Sequence, residues 1–70
     1  MKLSSRNILK GKVKKLNHGV VSSEVIVGLA NDFEIVSVVT KAAVENLGLK
    51  EGKEVYAVIN AADVILATDY

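Results

Sequence analysis

Leu3, Ser4, Ser5, Arg6 and Asn7 place two hydroxyls, a guanidinium and a carboxamide in near succession, and no carboxylate precedes Glu24. Hydroxyl, amide and guanidinium groups all donate hydrogen bonds. A donor cluster of this kind suits a fully deprotonated tetrahedral oxyanion, which accepts hydrogen bonds and donates none. The plainer reading is an N-terminal arm in which Ser and Asn satisfy backbone groups and Arg6 pairs with an acid. Composition alone leaves both readings open.

Two further corners offer donors. Thr40 stands where a short helix begins, so its hydroxyl lies near the unpaired first-turn N–H groups of Ala42 and Ala43. Ordinary N-capping is the plain alternative. The turn at Asn60, Ala61 and Ala62 supplies a carboxamide and close backbone approach, or simply ends a strand. Three such corners in 70 residues weigh more together than singly.

Catalytic signatures are missing from the sequence, and no enzyme is expected. His18 is the only histidine and sits beside Gly19 in a turn, away from any nucleophile–base–orienter context. There is no phosphate-binding loop, dinucleotide glycine run or HExxH. With no cysteine, thiolate metal sites and disulfides are both excluded.

Charge is unevenly placed. The net charge is +1, yet Lys2, Arg6, Lys10, Lys12, Lys14, Lys15 and His18 all precede the first acid. A basic segment suggests an anionic partner. For Lys10, Lys12, Lys14 and Lys15 the solvated face of an edge strand accounts for the charges as well.

The elements that must position these groups are mainly strands. Valine and isoleucine supply 17 residues, which favours β-structure. Strands are expected over 7–16, 20–29, 33–39, 54–60 and 64–68. Turns fall at Asn17-His18-Gly19 and Ala30-Asn31-Asp32. A helix over 41–47, capped by Thr40 and ended by Gly48, separates the third and fourth strands. This order predicts an all-β fold, a small five-stranded OB-type Greek-key barrel with one short helix, spanning 1–70 as a single domain. Phe33 alternates with Ile35 and is expected to point inward.

Val36 and Val38 lie on the face opposite Ile35 and Val39, so the third strand is apolar on both sides. A chain of this size buries only about 60% of its unfolded surface and commonly needs disulfides, metals or oligomerisation. Oligomerisation is what remains, and a homo-oligomer is expected. The apolar runs, such as Val64-Ile65-Leu66-Ala67, are too short to span a membrane. Nor does the basic N-terminus carry a signal-peptide apolar core. A cytoplasmic setting is the expectation.

Ser4-Ser5-Arg6-Asn7-x-x-x-Gly11-x-Val13, followed by Gly19-x-Val21-x-x-Glu24-Val25, resembles the molybdate-binding Mop proteins, or molbindins, whose module is also called the TOBE/Mop domain. The run Thr40-x-x-Ala43-Val44-x-x-Leu47-x-Leu49-x-x-Gly52-x-x-Val55 is similar to theirs as well. So is Ala57-x-Ile59-x-Ala61-x-Asp63-Val64. The resemblance implies an OB fold assembled as a hexamer, a trimer of dimers, that stores or buffers molybdate or tungstate at subunit interfaces. Carried over by position, it assigns anion contacts to Ser4, Ser5 and Arg6 of one subunit. A neighbour would supply Thr40, Ala43, Asn60 and Ala61, the alanines acting through backbone N–H. A second class of site near the symmetry axes would be bordered by Gly19, Val20 and Ser22. Two positions depart from the family pattern: Ser5, where many relatives have alanine, and Asn60, where lysine is common.

A nucleic-acid-binding OB module is the alternative that the basic segment favours. The shortage of aromatics opposes it, because single-strand binding by this fold relies on base stacking. A small interaction subunit that docks an unrelated protein on its apolar face is the third possibility.

Overall fold

The computed structural model describes residues 7–69. Four strands form one antiparallel sheet: β1 (Asn7–His18), β2 (Ser22–Gly28), β3 (Glu34–Thr40) and β4 (Glu54–Ile59). Their spatial order is β3-β2-β1-β4. Three consecutive strands with a fourth returning beside the first is a Greek-key arrangement. Helix α1 (Lys41–Leu47) lies between β3 and β4 in the chain, as the sequence predicts.

β1 gives the sheet its curl. Its first half pairs with β4, from Asn7 opposite Ile59 to Lys12 opposite Glu54. Its second half pairs with β2, from Lys12 opposite Gly28 to His18 opposite Ser23. The register shifts between Val13 and Lys15, and a bulge there bends the strand and increases its twist. Val13 then turns its backbone to the loop after α1. Its N–H donates to the Lys53 carbonyl at 2.9 Å, and its own carbonyl accepts from the Gly52 N–H at 2.8 Å. Close to the bend, a Cβ on Gly11 would stand 2.5 Å from the Gly28 carbonyl oxygen. Only glycine lets the two backbones approach so closely.

The core collects on the concave side of this curl. Val13, at 1% exposure, packs with Val25 and Val27, and Leu16, Leu29, Val39, Leu49 and Val55 surround them. Alternation along β2 puts Ser23 on the same inner face, fully buried. The helix adds Val44 as its buried residue and packs against β2 and β3. Gly48 ends α1 in the left-handed conformation (φ 62°), and Leu49 N–H donates to the Val44 carbonyl at 3.0 Å.

Two expectations are corrected. The segment 64–68 is not a strand, and the described residues hold four strands rather than five. A turn of 3-10 helix (Ala61–Asp63) follows β4, closed by Asp63 N–H to the Asn60 carbonyl at 2.9 Å. Beyond it the chain runs free of the sheet, with Ile65 93% and Leu66 89% exposed. A strand needs a ladder partner, and this chain's own sheet offers none along that path. The sheet is therefore curled but open between β3 and β4. Phe33, expected inside, is 68% exposed. Asn31 and Asp32 both take positive φ in the preceding turn, and β3 begins only at Glu34, so the inward alternation starts at Ile35. Smaller shifts affect β1, which runs on to His18, and β2, which starts at Ser22 rather than Val20.

Candidate functional site

Ser4, Ser5 and Arg6 lie outside the described residues. They immediately precede Asn7, which pairs with Ile59 and so stands at the corner where β4 ends. Asn60 follows directly. Its backbone is extended (φ −64°, ψ 137°), and its side chain makes no capping bond to the turn it opens. The Asn60 side chain is exposed. Ala61 uses its carbonyl to accept from the Val64 N–H at 3.3 Å.

Thr40 and Ala43 occupy a different corner. Thr40 closes β3 opposite Ser22, and the adjoining rung pairs Ser23 with Val39 on β3 and with His18 on β1. The Thr40 hydroxyl oxygen accepts from the Ala43 N–H at 3.0 Å, as an N-cap should. Its own hydrogen stays available to donate. The Lys41 N–H is taken by the Val21 carbonyl at 3.1 Å, which ties the helix start to the β1–β2 hairpin. Gly19, Val20 and Ser22 form that hairpin tip. A Cβ on Gly19 would meet the Ser22 carbonyl oxygen at 2.2 Å, so the turn demands glycine.

The structure thus regroups the sequence-derived residues. Thr40 and Ala43 fall together with Gly19, Val20 and Ser22, at the His18 end of β1. Asn60 and Ala61 fall together with Asn7, at its other end. Pairing within one chain does not bring Thr40 and Asn60 to one point. Sequence spacing missed this, because the separation follows from β1 being long enough to pair with two strands in succession.

Two of the lysines along β1 are paired with acids on neighbouring elements. The Lys14 ammonium binds the Glu34 carboxylate, which raises its pKa above the ordinary 10.5, first through the hydrogen bond and then through charge. Lys10 faces Glu54 at 3.7 Å. These are exposed pairs, worth little each, and they fit a solvated face, but β1 is flanked by β2 and β4 and is not the edge strand that the sequence suggested. Asn17 donates to Glu24 at 3.1 Å, so the first carboxylate of the chain is engaged beside the hairpin. The Ser23 hydroxyl, just below the Ser22–Thr40 rung on the inner face, has no partner among the described residues. No group of three or more His, Cys, Asp or Glu able to hold a cation occurs among them either. No helix among the described residues is long and apolar enough to cross a membrane. The side chains at the two corners are the neutral hydroxyl of Thr40 and the neutral carboxamides of Asn7 and Asn60.

A small curled β-sheet with one helix at its end and donor-rich corners defines the class, a ligand-binding module of the OB type. The TOBE domain family matches residues 3–66, and the chain belongs to that family in its Mop, or molbindin, branch. It is 46% identical over 66 residues to molybdenum-pterin-binding protein 1 of Clostridium pasteurianum, covering 94% of this chain and 97% of that one. Among solved structures it is similar to MopII from Clostridium pasteurianum, with a TM-score of 0.91 and 43% identity, over 96% of this chain and 100% of that. It is also similar to the cytoplasmic molybdate-binding protein ModG with molybdate bound. There the TM-score is 0.89 and the identity 51%, over 93% of this chain and 46% of that one.

Proposed function

We propose that this protein binds molybdate, tungstate or both, and stores or buffers the oxyanion at sites shared between subunits of a homo-oligomer in the cytoplasm. The observation that carries this reading is the near full-length likeness to proteins named for binding molybdenum-pterin or molybdate. The chemistry of the corners agrees with it. Arg6 supplies the positive charge, Ser4, Ser5 and Thr40 supply hydroxyl donors, Asn60 supplies a carboxamide and Ala61 a backbone N–H, while the Ala43 N–H, expected as a direct donor, is spent on the Thr40 oxygen and orients that hydroxyl instead. Ser22, Gly19 and Val20 border a second class of site beside Thr40. Because Thr40 and Asn60 lie at opposite ends of β1, a site using both draws them from different chains. A hexamer built as a trimer of dimers provides such junctions. The reading is one of binding, without catalysis.

Isothermal calorimetry with molybdate, tungstate and a sulfate control tests it. Saturable heat with either metal oxyanion is expected at micromolar protein, strongly reduced by Arg6→Ala. No heat with either anion would overturn the reading.

A further inference from the structure

The sheet has a gap where β2 ends. One rung there aligns Lys12 of β1, Gly28 of β2 and Glu34 of β3, and its middle position carries no side chain. A Cβ at Gly28 would find ordinary room, with the Lys12 carbonyl oxygen at 3.8 Å and the Lys14 side chain at 3.9 Å. Glycine thus leaves open a space that a larger residue would occupy. Around it lies a cleft of about 700 Å³, within the range of roughly 300–1,000 Å³ usual for small-molecule sites. The cleft belongs to neither donor corner. Gly28 is at the opposite end of β2 from Ser22, and Glu54, which also lines the cleft, is at the opposite end of β4 from Asn60.

The charged residues along its walls are Lys10, Lys12, Lys14, Asp32, Glu34 and Glu54. Lys10 pairs with Glu54, and Lys14 with Glu34. One cation and one carboxylate remain. Neither the Lys12 nor the Asp32 side chain makes a hydrogen bond or ion pair among the described residues, though the Asp32 charge acts on Lys14. Phe33 follows Asp32 and is 68% exposed. Its backbone is tied into the turn on both sides. The carbonyl accepts from the Leu29 N–H at 2.7 Å, and the N–H donates to the Ala30 carbonyl at 3.4 Å.

A phosphate alone would be drawn to Lys12 and repelled by Asp32. A flat apolar ring alone would leave both charges unused. The set suits a molecule that is anionic at one end and carries N–H donors on the far edge of a planar ring. A carboxylate accepts two parallel hydrogen bonds from adjacent N–H groups, and a planar base stacks on an aromatic side chain. Guanine presents such a pair, at N1 and the 2-amino group. Adenine has no second N–H beside its 6-amino group.

We propose that this cleft binds a guanine nucleotide, with the base on Phe33, its N1–H and 2-amino groups on the Asp32 carboxylate, and its phosphate on the Lys12 ammonium. The site is separate from the oxyanion corners and does not rest on the oxyanion reading.

Calorimetry and backbone NMR of the full chain with GMP test it. Saturable binding with a Kd below about 1 mM is expected, with the resonances of Gly28, Asp32 and Phe33 moving. AMP and inorganic phosphate should bind at least about tenfold more weakly. Lys12→Met, Asp32→Asn and Phe33→Ala should each raise the GMP Kd by about tenfold. All three positions are exposed, and asparagine accepts the positive φ of Asp32. Gly28→Leu, which fills the cleft from its floor, should abolish binding; if it does not fold, the three exposed variants decide. No saturable binding of GMP, equal affinity for AMP, or an unchanged Kd in any of the three would overturn the proposal. Saturating molybdate separates the two readings, since the GMP Kd should not respond to it. Competition by molybdate would place the phosphate in the oxyanion site and overturn the proposal. GMP binding in a chain that gives no heat with molybdate or tungstate sinks the oxyanion reading only.

Discussion

The Thr40 hydroxyl oxygen accepts a hydrogen bond from the Ala43 N–H at 3.0 Å, so two residues assigned to the oxyanion site already hold each other. The bond caps α1 and leaves the hydroxyl hydrogen free to donate. Thr40→Ala is expected to cost about 0.5–2 kcal/mol through loss of the cap and to weaken oxyanion binding as well. Thr40→Ser restores both, since it keeps the oxygen and the hydrogen. Urea midpoints at fixed protomer concentration, which an oligomer requires, and calorimetry on the same samples check the pair. A serine variant that recovers stability but not binding would assign the threonine methyl a part in the site.

The close passage of Gly11 and Gly28 yields a second expectation. A Cβ at Gly11 would meet the Gly28 carbonyl oxygen at 2.5 Å, with the Val27 side chain at 2.8 Å. Backbone cannot yield there without opening the bend of β1. Gly11→Ala should therefore lose about 1–3 kcal/mol, the usual cost of forced overpacking. Gly52→Ala adds a methyl in open space at a positive φ, and separates backbone strain from steric clash. Denaturant unfolding of the two variants measures both.

Lys14 and Glu34 set a pH dependence whose direction is fixed. The pair raises the Lys14 pKa above its ordinary value, so its contribution is complete below pH 10.5 and fades as pH rises through the higher folded value. A Lys14→Met variant should be slightly less stable than the parent at pH 8. The gap should close above the folded pKa and shrink in high salt at pH 8. The difference in urea midpoint between the two chains, followed with pH, isolates this pair from the other lysines. A gap that widens with rising pH would contradict the assignment.

Much of this fold is legible in the sequence because its signals are local. Thr40 and Gly48 bracket α1 to the residue, and alternation places Val25 and Val27 inside with Val36 and Val38 outside. Phe33 and the run 64–68 went astray for different reasons. Phe33 follows two residues of positive φ, and a shift of one position at a turn reverses which way a side chain faces. The run 64–68 reads as a strand by composition, but a strand also needs a ladder partner, and after the 3-10 turn at Ala61–Asp63 this run pairs with no strand of the sheet. Site residues suffer the same limit. Their chemistry is visible one at a time, whereas the separation of Thr40 from Asn60 follows from the two-part pairing of β1.

Asn60 offers the sharpest change to make. The resemblance puts lysine there in many relatives, and here the side chain is an exposed carboxamide with no bond to its own turn. Its extended backbone accepts any ordinary residue, so Asn60→Lys should alter stability by no more than about 0.5 kcal/mol. A cation at the oxyanion turns a neutral hydrogen bond into a charge-assisted one, which is roughly twice as strong. The gain expected is about 1.4 kcal/mol, or tenfold in Kd. Added charge also carries a signature that packing would not: the advantage of the lysine variant should decline between low and moderate salt. Calorimetric titration of both chains with molybdate and tungstate at two ionic strengths reads out the affinity and its origin. An unchanged Kd at low salt would remove Asn60 from the site, leaving Arg6 as the cation to examine there.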